Sequence, residues 1–309
     1  MAIYSTFASV SGEVLEKAFW PAKGEPKAVV QLVHGMAEHI RRYDETAQKL
    51  SGAGFAVVGH THMGHGKNAR VLGYFGKENG WDTLVKDTHA VRIATQKEYP
   101  NLPYFLLGHS MGSFVVRTYC LSYEKGLSGV ILSGTGHFDK AILAAGGLLS
   151  KLQCLLGMAG KPSKLLSKIS SMGYLKDYAD VQTEFDWLSR DREVVKRYID
   201  DPLCGFPFTA KGYGDMFEGL TRLYPEKLGT MEKDVHVYLF SGDKDPVGAN
   251  GAGVEKVAQE IRDAGVKDVT VKLYPDGRHE MFNELNKEEV WHDLIGWLEN
   301  QLENEEMKE

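Results

Sequence analysis

Apolar and polar positions along this chain sort into two alternating kinds of segment. Short, mainly apolar runs at residues 28–33 (AVVQLV), 55–59, 104–107, 127–132, 235–241 and 269–274 are bounded by Gly, Pro and polar turn residues and read as strands. The 28–33 run reads as a buried strand, and 235–241 (VHVYLFS) alternates but also reads as buried, which suits the interior of a parallel sheet. Between them, residues 43–51, 81–99 and 113–121 carry apolar residues at helical spacing, and a strand–helix–strand alternation of this kind predicts an α/β architecture with helices on both sides of the sheet. An N-terminal hairpin precedes the first of the buried runs.

The alternation stops after the sixth strand and resumes near Val235. Between His137 and Tyr213 there is a glycine-punctuated apolar stretch at 141–158, a basic-polar linker at 161–168 and a charged run with helical spacing at 185–199. This predicts a helical cap at 137–212 inserted into a core made of 1–136 and 213–309. Leu143, Leu148, Leu149, Leu152, Leu155, Leu156 and Met158 fall at near-helical spacings. They serve either to pack the cap onto the core or to line a channel for an apolar substrate.

Candidate chemistry sits at the ends of the predicted strands. Gly108-His109-Ser110-Met111-Gly112 follows the 104–107 run and precedes a helix. A strand that turns at once into a helix packs its backbone tightly, so small residues two positions to either side of the serine allow the turn and expose Oγ above the sheet. Downstream, the 235–241 strand leads into Gly242-Asp243-Lys244-Asp245-Pro246, and the 269–274 strand into Pro275-Asp276-Gly277-Arg278-His279. The order Ser, Asp, His places a nucleophile (Ser110), an acid and a general base (His279) on loops at one edge of a parallel sheet. Asp243 lies close to the strand end, where it serves as a turn or capping residue. Asp245, three residues past Gly242 and directly before Pro246, is better placed to reach the imidazole. Acyl transfer also needs donors for the oxyanion, and the turn His34-Gly35-Met36 after the 28–33 strand supplies one. The backbone N–H groups of Met36 and Met111 are the expected pair, with His34 fixing the loop. Another chemistry is open to His60, His62 and His65, whose H-T-H-M-G-H run approximates a binuclear zinc ligand run but has Gly64 in place of the aspartate. The other reading of these histidines is that they hydrogen-bond the loop after the 55–59 strand, and no metal or cofactor is expected.

The segments His34–Tyr43 (HGMAEHIRRY), His62–Gly66 (HMGHG), Gly108–Ser113 (GHSMGS) and Ser241–Gly248 (SGDKDPVG) resemble the monoacylglycerol lipase and lysophospholipase branch of the α/β-hydrolase superfamily, of the serine aminopeptidase S33 type. The similarity spans nearly the whole chain. It implies an eight-stranded, mostly parallel sheet flanked by helices with a cap after strand 6. It also implies a serine hydrolase that cleaves carboxylic esters of apolar acyl chains, monoacylglycerol or lysophospholipid, through Ser110, His279 and Asp245 and an acyl-enzyme. Two positions depart from the family pattern. Ala37 stands where the family has a second glycine, which tightens the backbone beside the oxyanion hole, and Thr61 replaces an aspartate in a loop read as structural. The same triad also serves acyltransferases and peptidases, whereas dehalogenases and epoxide hydrolases carry an aspartate where Ser110 stands.

Composition narrows the setting. With 309 residues and 43% hydrophobic content the chain buries a large core without needing a second independent domain. Thirty-six basic against 42 acidic residues give a net charge of −6 with no basic cluster, which argues against nucleic-acid binding. Cys120, Cys154 and Cys204 form no C-x-x-C pair and predict free packing thiols in a reducing compartment. No basic leader and no run of 18 apolar residues is evident, so a cytoplasmic protein is expected, with at most transient contact between its cap and a membrane or micelle. The acidic end, 299–309, reads as a solvated helix terminus.

Overall fold

The computed structural model describes residues 1–224, 226 and 231–306. Eight strands form one sheet in the order β1-β2-β4-β3-β5-β6-β7-β8. These are β1 (Ile3–Ala8), β2 (Val14–Trp20), β3 (Ala28–Val33), β4 (Phe55–His60), β5 (Tyr104–His109), β6 (Gly129–Ser133), β7 (His236–Gly242) and β8 (Asp268–Tyr274). β1 and β2 form the N-terminal antiparallel hairpin, β2 pairs antiparallel with β4, and every pairing from β4 through β8 is parallel.

The five central strands β3 to β7 are buried at every position, and their side chains divide by the pleat between two cores. On one face Val29, Val33, Val58, Leu106, Leu132 and Leu239 pack under α2 (Gly80–Glu98), α3 (Met111–Tyr123) and α8 (Ala252–Asp263). On the other, Val30, Leu32, Val57, Phe105, Leu107 and Phe240 pack against α1 (Asp44–Gly52) and α9 (Lys287–Glu306). This is the eight-stranded, mostly parallel, two-sided arrangement expected, with element boundaries within about two residues of the predicted ones. Helix α9 carries the acidic end as far as Glu306; residues 307–309 of that expectation lie outside the described residues.

The segment expected to form a cap follows β6 as α4 (Lys140–Gln153), α5 (Lys164–Ser170), α6 (Arg192–Asp200) and α7 (Ala210–Leu220), with α7 running through the boundary expected at 212. Two expectations inside it fail. The stretch read as a linker holds α5, because Ser163 accepts a hydrogen bond from the Leu166 N–H (3.2 Å) and caps the helix. The run read as a helix from 185 is helical only from Arg192. Residues 185–191 instead form an irregular strap of local turns, and the carbonyls of Trp187 and Leu188 accept N–H groups from the core, as described below.

The leucines of the cap divide unexpectedly. Leu143 is buried and Leu149 packs partly on the core, but Leu148, Leu152, Leu155 and Leu156 are 50–80% exposed, so these four neither pack the cap down nor line an interior channel. Helix α4 lies close on α7 because its inner face is small: a side chain at Gly146 would meet the Phe217 ring at 2.8 Å, and Ser150 Oγ donates to the Ala210 carbonyl at 2.7 Å. Lys140–Met158 is long and apolar enough to cross a membrane by length and composition, and only 22% of its apolar window is buried, although the chain turns at Gly157 (φ +79°).

Candidate active site

Ser110 sits where β5 meets α3 and adopts φ 53°, ψ −122°, a conformation that a residue bearing a side chain rarely takes. The surrounding glycines make the corner possible. A Cβ on Gly112 would lie 2.0 Å from the Val33 carbonyl oxygen, and one on Gly108 would lie 2.4 Å from the Gly112 carbonyl oxygen, so β3, β5 and α3 approach each other backbone to backbone. The result is a serine held at the N-terminus of a buried helix, with the positive end of the helix at its side.

Asp245 and His279 are brought together at the same sheet edge. His279 Nδ1 lies 3.0 Å from Asp245 Oδ1, and both side chains are almost wholly buried. Asp245 is itself fixed by the Val247 N–H (2.9 Å, to Oδ1) and the Ser241 hydroxyl (2.7 Å, to Oδ2). Asp243 lies apart, half-exposed, and accepts from the Asp276 N–H at 2.8 Å. Burial alone would push the His279 imidazole down, but the Asp245 carboxylate beside it holds its pKa above the ordinary histidine value. Burial likewise opposes ionisation of Asp245, and the His279 charge outweighs it, keeping that carboxyl below its usual range. The Nε2 of His279 is buried with no hydrogen-bond partner among the described residues, so the nitrogen that faces away from Asp245 is free to take a proton.

Met36 lies in the turn after β3 and Met111 opens α3. Among the described residues neither backbone N–H is drawn into a protein hydrogen bond, as donors for an oxyanion require. Gly35 keeps this turn close to the serine: a Cβ there would meet Ser110 Cβ at 3.1 Å. Ala37 takes φ 52°, the left-handed region for which the family's glycine is suited. Its conformation is imposed from both sides, since its N–H donates to His65 Nε2 (3.3 Å) while its carbonyl accepts from the Gly205 N–H and the Tyr198 hydroxyl, each at 3.0 Å.

His34 Nε2 accepts the His62 N–H (2.9 Å) and its Nδ1 donates to the Gly35 carbonyl (2.8 Å), tying the loop after β4 to the loop after β3. His60, His62 and His65 pack with it ring against ring, with centroids 4.2–6.0 Å apart. Burial pushes His60 down to about 3 and His65 to about 4, so the cluster is neutral at physiological pH. The described residues do gather three metal-type donors within 4.8 Å of one another, but at His39, Asp201 and Cys204 rather than in this run.

Several residues with no role in the sequence reading surround the site. Glu38 accepts from the Gly35 N–H (2.6 Å), the Tyr43 hydroxyl (2.8 Å) and Arg42 (2.5 Å), and Arg42 also forks onto Glu280 (2.7 and 2.8 Å). A single buried guanidinium therefore joins the oxyanion turn to the residue after His279, and a cavity of about 10 Å³ beside it has room for about one water. The strap contributes from the cap side. The carbonyls of Trp187 and Leu188 accept the N–H groups of His279 (3.3 Å) and Glu280 (2.7 Å), and the Trp187 ring lies 4.9 Å from the imidazole. Arg278 donates to the carbonyls of Asp186 (2.6 Å) and Ser189 (3.3 Å). Only adjacency to a motif, as for Glu38 and Arg42 beside His34-Gly35, marks any of these in the sequence.

Comparison with known proteins adds context to this geometry. The family model described as serine aminopeptidase, S33, matches residues 24–286. A monoacylglycerol lipase of Mycolicibacterium smegmatis is 31% identical over 96% of this chain and 97% of its own length. A monoglyceride lipase homolog of Monkeypox virus is 38% identical over 92% of this chain and 94% of that protein. Among solved structures, a highly thermostable carboxyl esterase from Bacillus coagulans, in complex with glycerol, superposes with a TM-score of 0.91 at 29% identity, covering 97% of this chain and 99% of that one.

Proposed function

Because the chain belongs to the serine aminopeptidase S33 family, we propose that it is a carboxylic ester hydrolase acting on esters of apolar acyl chains, monoacylglycerol or lysophospholipid, through an acyl-enzyme. Ser110 Oγ attacks the ester carbonyl while His279 Nε2 takes its proton; Asp245 holds the imidazole in the tautomer that leaves Nε2 free and balances the imidazolium that forms. The N–H groups of Met36 and Met111 receive the oxyanion. His279 then protonates the leaving alcohol, and water repeats the cycle on the acyl-enzyme to release the acid. The observation that carries the reading is the buried Asp245–His279 pair at 3.0 Å with a free Nε2 on the same sheet edge as the strained Ser110.

Residues 137–212 act as the cap over this site. The outward leucines of α4 and the turn after it, with Leu165 and Met172 also exposed, suit brief contact with a micelle or bilayer surface from which a lipid ester is drawn. Three free cysteines accord with a cytoplasmic setting. A fluorophosphonate probe followed by peptide mapping tests the assignment, alongside hydrolysis of monoacylglycerol and of short p-nitrophenyl esters. Labelling at Ser110, and a loss of at least about a thousandfold in turnover for Ser110→Ala, are expected. Labelling elsewhere, or retained turnover in that variant, refutes the mechanism; preference for the short ester over monoacylglycerol refutes the lipid substrate.

A further inference from the structure

At the junction of the cap with the oxyanion turn, three side chains of different donor chemistry converge. His39 ends the turn that begins at His34. Asp201 and Cys204 lie in the tight turn after α6, where the Cys204 N–H bonds to the Asp201 carbonyl at 2.9 Å and the Leu203 N–H to Asp201 Oδ1 at 2.8 Å. His39 Nε2 stands 2.8 Å from Asp201 Oδ2, and the imidazole nitrogen, a carboxylate oxygen and the Cys204 sulfur all lie within 4.8 Å of one another. Cys204 is a free thiol, 8% exposed, and His39 is 7% exposed with a second ring nitrogen that finds no partner. Asp201 is the solvent side of the group, with 31% of its side chain exposed, which gives an ion a way in.

We propose that His39, Asp201 and Cys204 form a zinc site bridging the cap to the oxyanion turn, and that bound zinc restrains turnover. One sulfur, one imidazole nitrogen and one carboxylate oxygen make a ligand set suited to Zn²⁺, with a fourth tetrahedral position open to solvent at the Asp201 side. The two segments are already joined by the bond from the Gly205 N–H to the Ala37 carbonyl, so little ordering is needed on binding. Coordination replaces the thiol proton of Cys204 by the metal and releases that proton to solvent; burial pushes this thiol up, with the Arg42 guanidinium opposing and the Glu38, Asp201 and Glu280 carboxylates adding to the rise, so affinity falls as pH is lowered.

The link to turnover is geometric. With Zn–N and Zn–O bonds of about 2.0–2.1 Å, ligand atoms of a tetrahedron stand about 3.3 Å apart, so the His39–Asp201 contact must widen from 2.8 Å. Of the three ligands, His39 is two positions from Ala37 and Cys204 one position from Gly205, and the Gly205–Ala37 bond holds the turn carrying the Met36 N–H. This second half rests on the ester hydrolase reading above, while the binding half does not.

The test uses the chelator-stripped full-length chain. Calorimetric titration with Zn²⁺ should give one site, and Co²⁺ should give a thiolate-to-metal charge-transfer band. Cys204→Ser and Asp201→Asn, checked for folding by circular dichroism, should each lose at least tenfold in zinc affinity, and Cys204→Ser should lose the band. Ester turnover of Cys204→Ser without metal should match the parent and be insensitive to zinc that slows the parent several-fold. Absence of a cobalt–thiolate band, unchanged zinc affinity in Cys204→Ser, zinc inhibition that persists in that variant, or binding that leaves turnover untouched would each overturn the proposal. A chain with no esterase activity but a cysteine-dependent zinc site would remove the hydrolase reading and leave the site standing.

Discussion

Replacing Asp245 by Asn tests the electrostatics of the site while leaving its shape in place. The carboxylate accepts from His279 and Val247 through Oδ1 and from Ser241 through Oδ2. An asparagine whose carbonyl takes the Oδ1 position keeps the first two bonds, and its amide donates to the Ser241 hydroxyl, which can accept, so the fold survives. What disappears is the negative charge beside a wholly buried imidazole. Burial, the largest influence on His279, lowers its pKa and is overcome chiefly by Asp245, with smaller upward contributions from the Glu280 and Glu38 carboxylates. Without the charge the imidazolium formed in the transition state is left uncompensated, and a loss of about 10³–10⁴ in kcat follows, about 4–5.5 kcal/mol. The base works in its neutral form, so activity rises with pH through the His279 pKa. In the parent that limb lies above the ordinary histidine value, and in the variant it moves below it. Steady-state hydrolysis of a p-nitrophenyl ester from pH 4 to 9, normalised by phosphonate titration of active serine, measures both effects. A loss under tenfold, a limb that does not move, or an equal loss in Asp243→Asn would refute the assignment of the acid.

Further expectations concern the frame around the site. Ala37→Gly relieves a left-handed residue whose strain costs about 1–2 kcal/mol against about 0.4–1 kcal/mol of added chain freedom on unfolding, so the urea midpoint should rise with an unchanged slope; a fall would show that the buried methyl is needed. Gly112→Ala puts a methyl 2.0 Å from the Val33 carbonyl and should lower stability by at least about 3 kcal/mol in the same titration, an outcome contradicted by a near-parent midpoint. Asp87, buried on α2 and accepting from Ser9 Oγ and the Val10 N–H, is raised by burial to about 6. Its protonated form suits the fold, so that contribution is complete at pH values below the unfolded carboxyl pKa and is lost as pH rises through about 6. Asp87→Asn should therefore stabilise the protein at pH 8 by up to about 2 kcal/mol and much less at pH 4, and equal shifts at the two pH values would count against it.

Much of this architecture is visible in the chain because burial on both sides demands mainly apolar strands, which Tyr104 to Leu107 supplies outright and Val29 to Val33 supplies apart from Gln31, whose buried amide is bonded to Thr88 and Tyr104. The positions of Ser110, Asp245 and His279 follow from the same logic, since each comes directly after such a strand and all the strands point one way. Contacts made through charged residues far apart in sequence have no such signature. Arg42 and Glu280 are separated by 238 positions, and no periodicity announces that they meet. The 185–191 strap was misread because aromatic and charged residues at helical spacing suggest a helix, whereas Trp187 and Leu188 find their backbone partners on the His279 loop. The outward leucines of α4 escaped for the opposite reason: apolar spacing alone does not tell which side faces the core.

The strap also bears on how such enzymes are recombined. Trp187 and Leu188 belong to the cap by position in the chain, yet their carbonyls hold the backbone of His279 and Glu280. The cap is therefore not an interchangeable part. A chimera that imports a foreign segment across the whole insertion, to alter which esters are accepted, would remove the backbone support of His279, the proposed general base. The transferable module is the outer portion, α4 and α5, which carries the exposed leucines and leaves the strap with the core that depends on it.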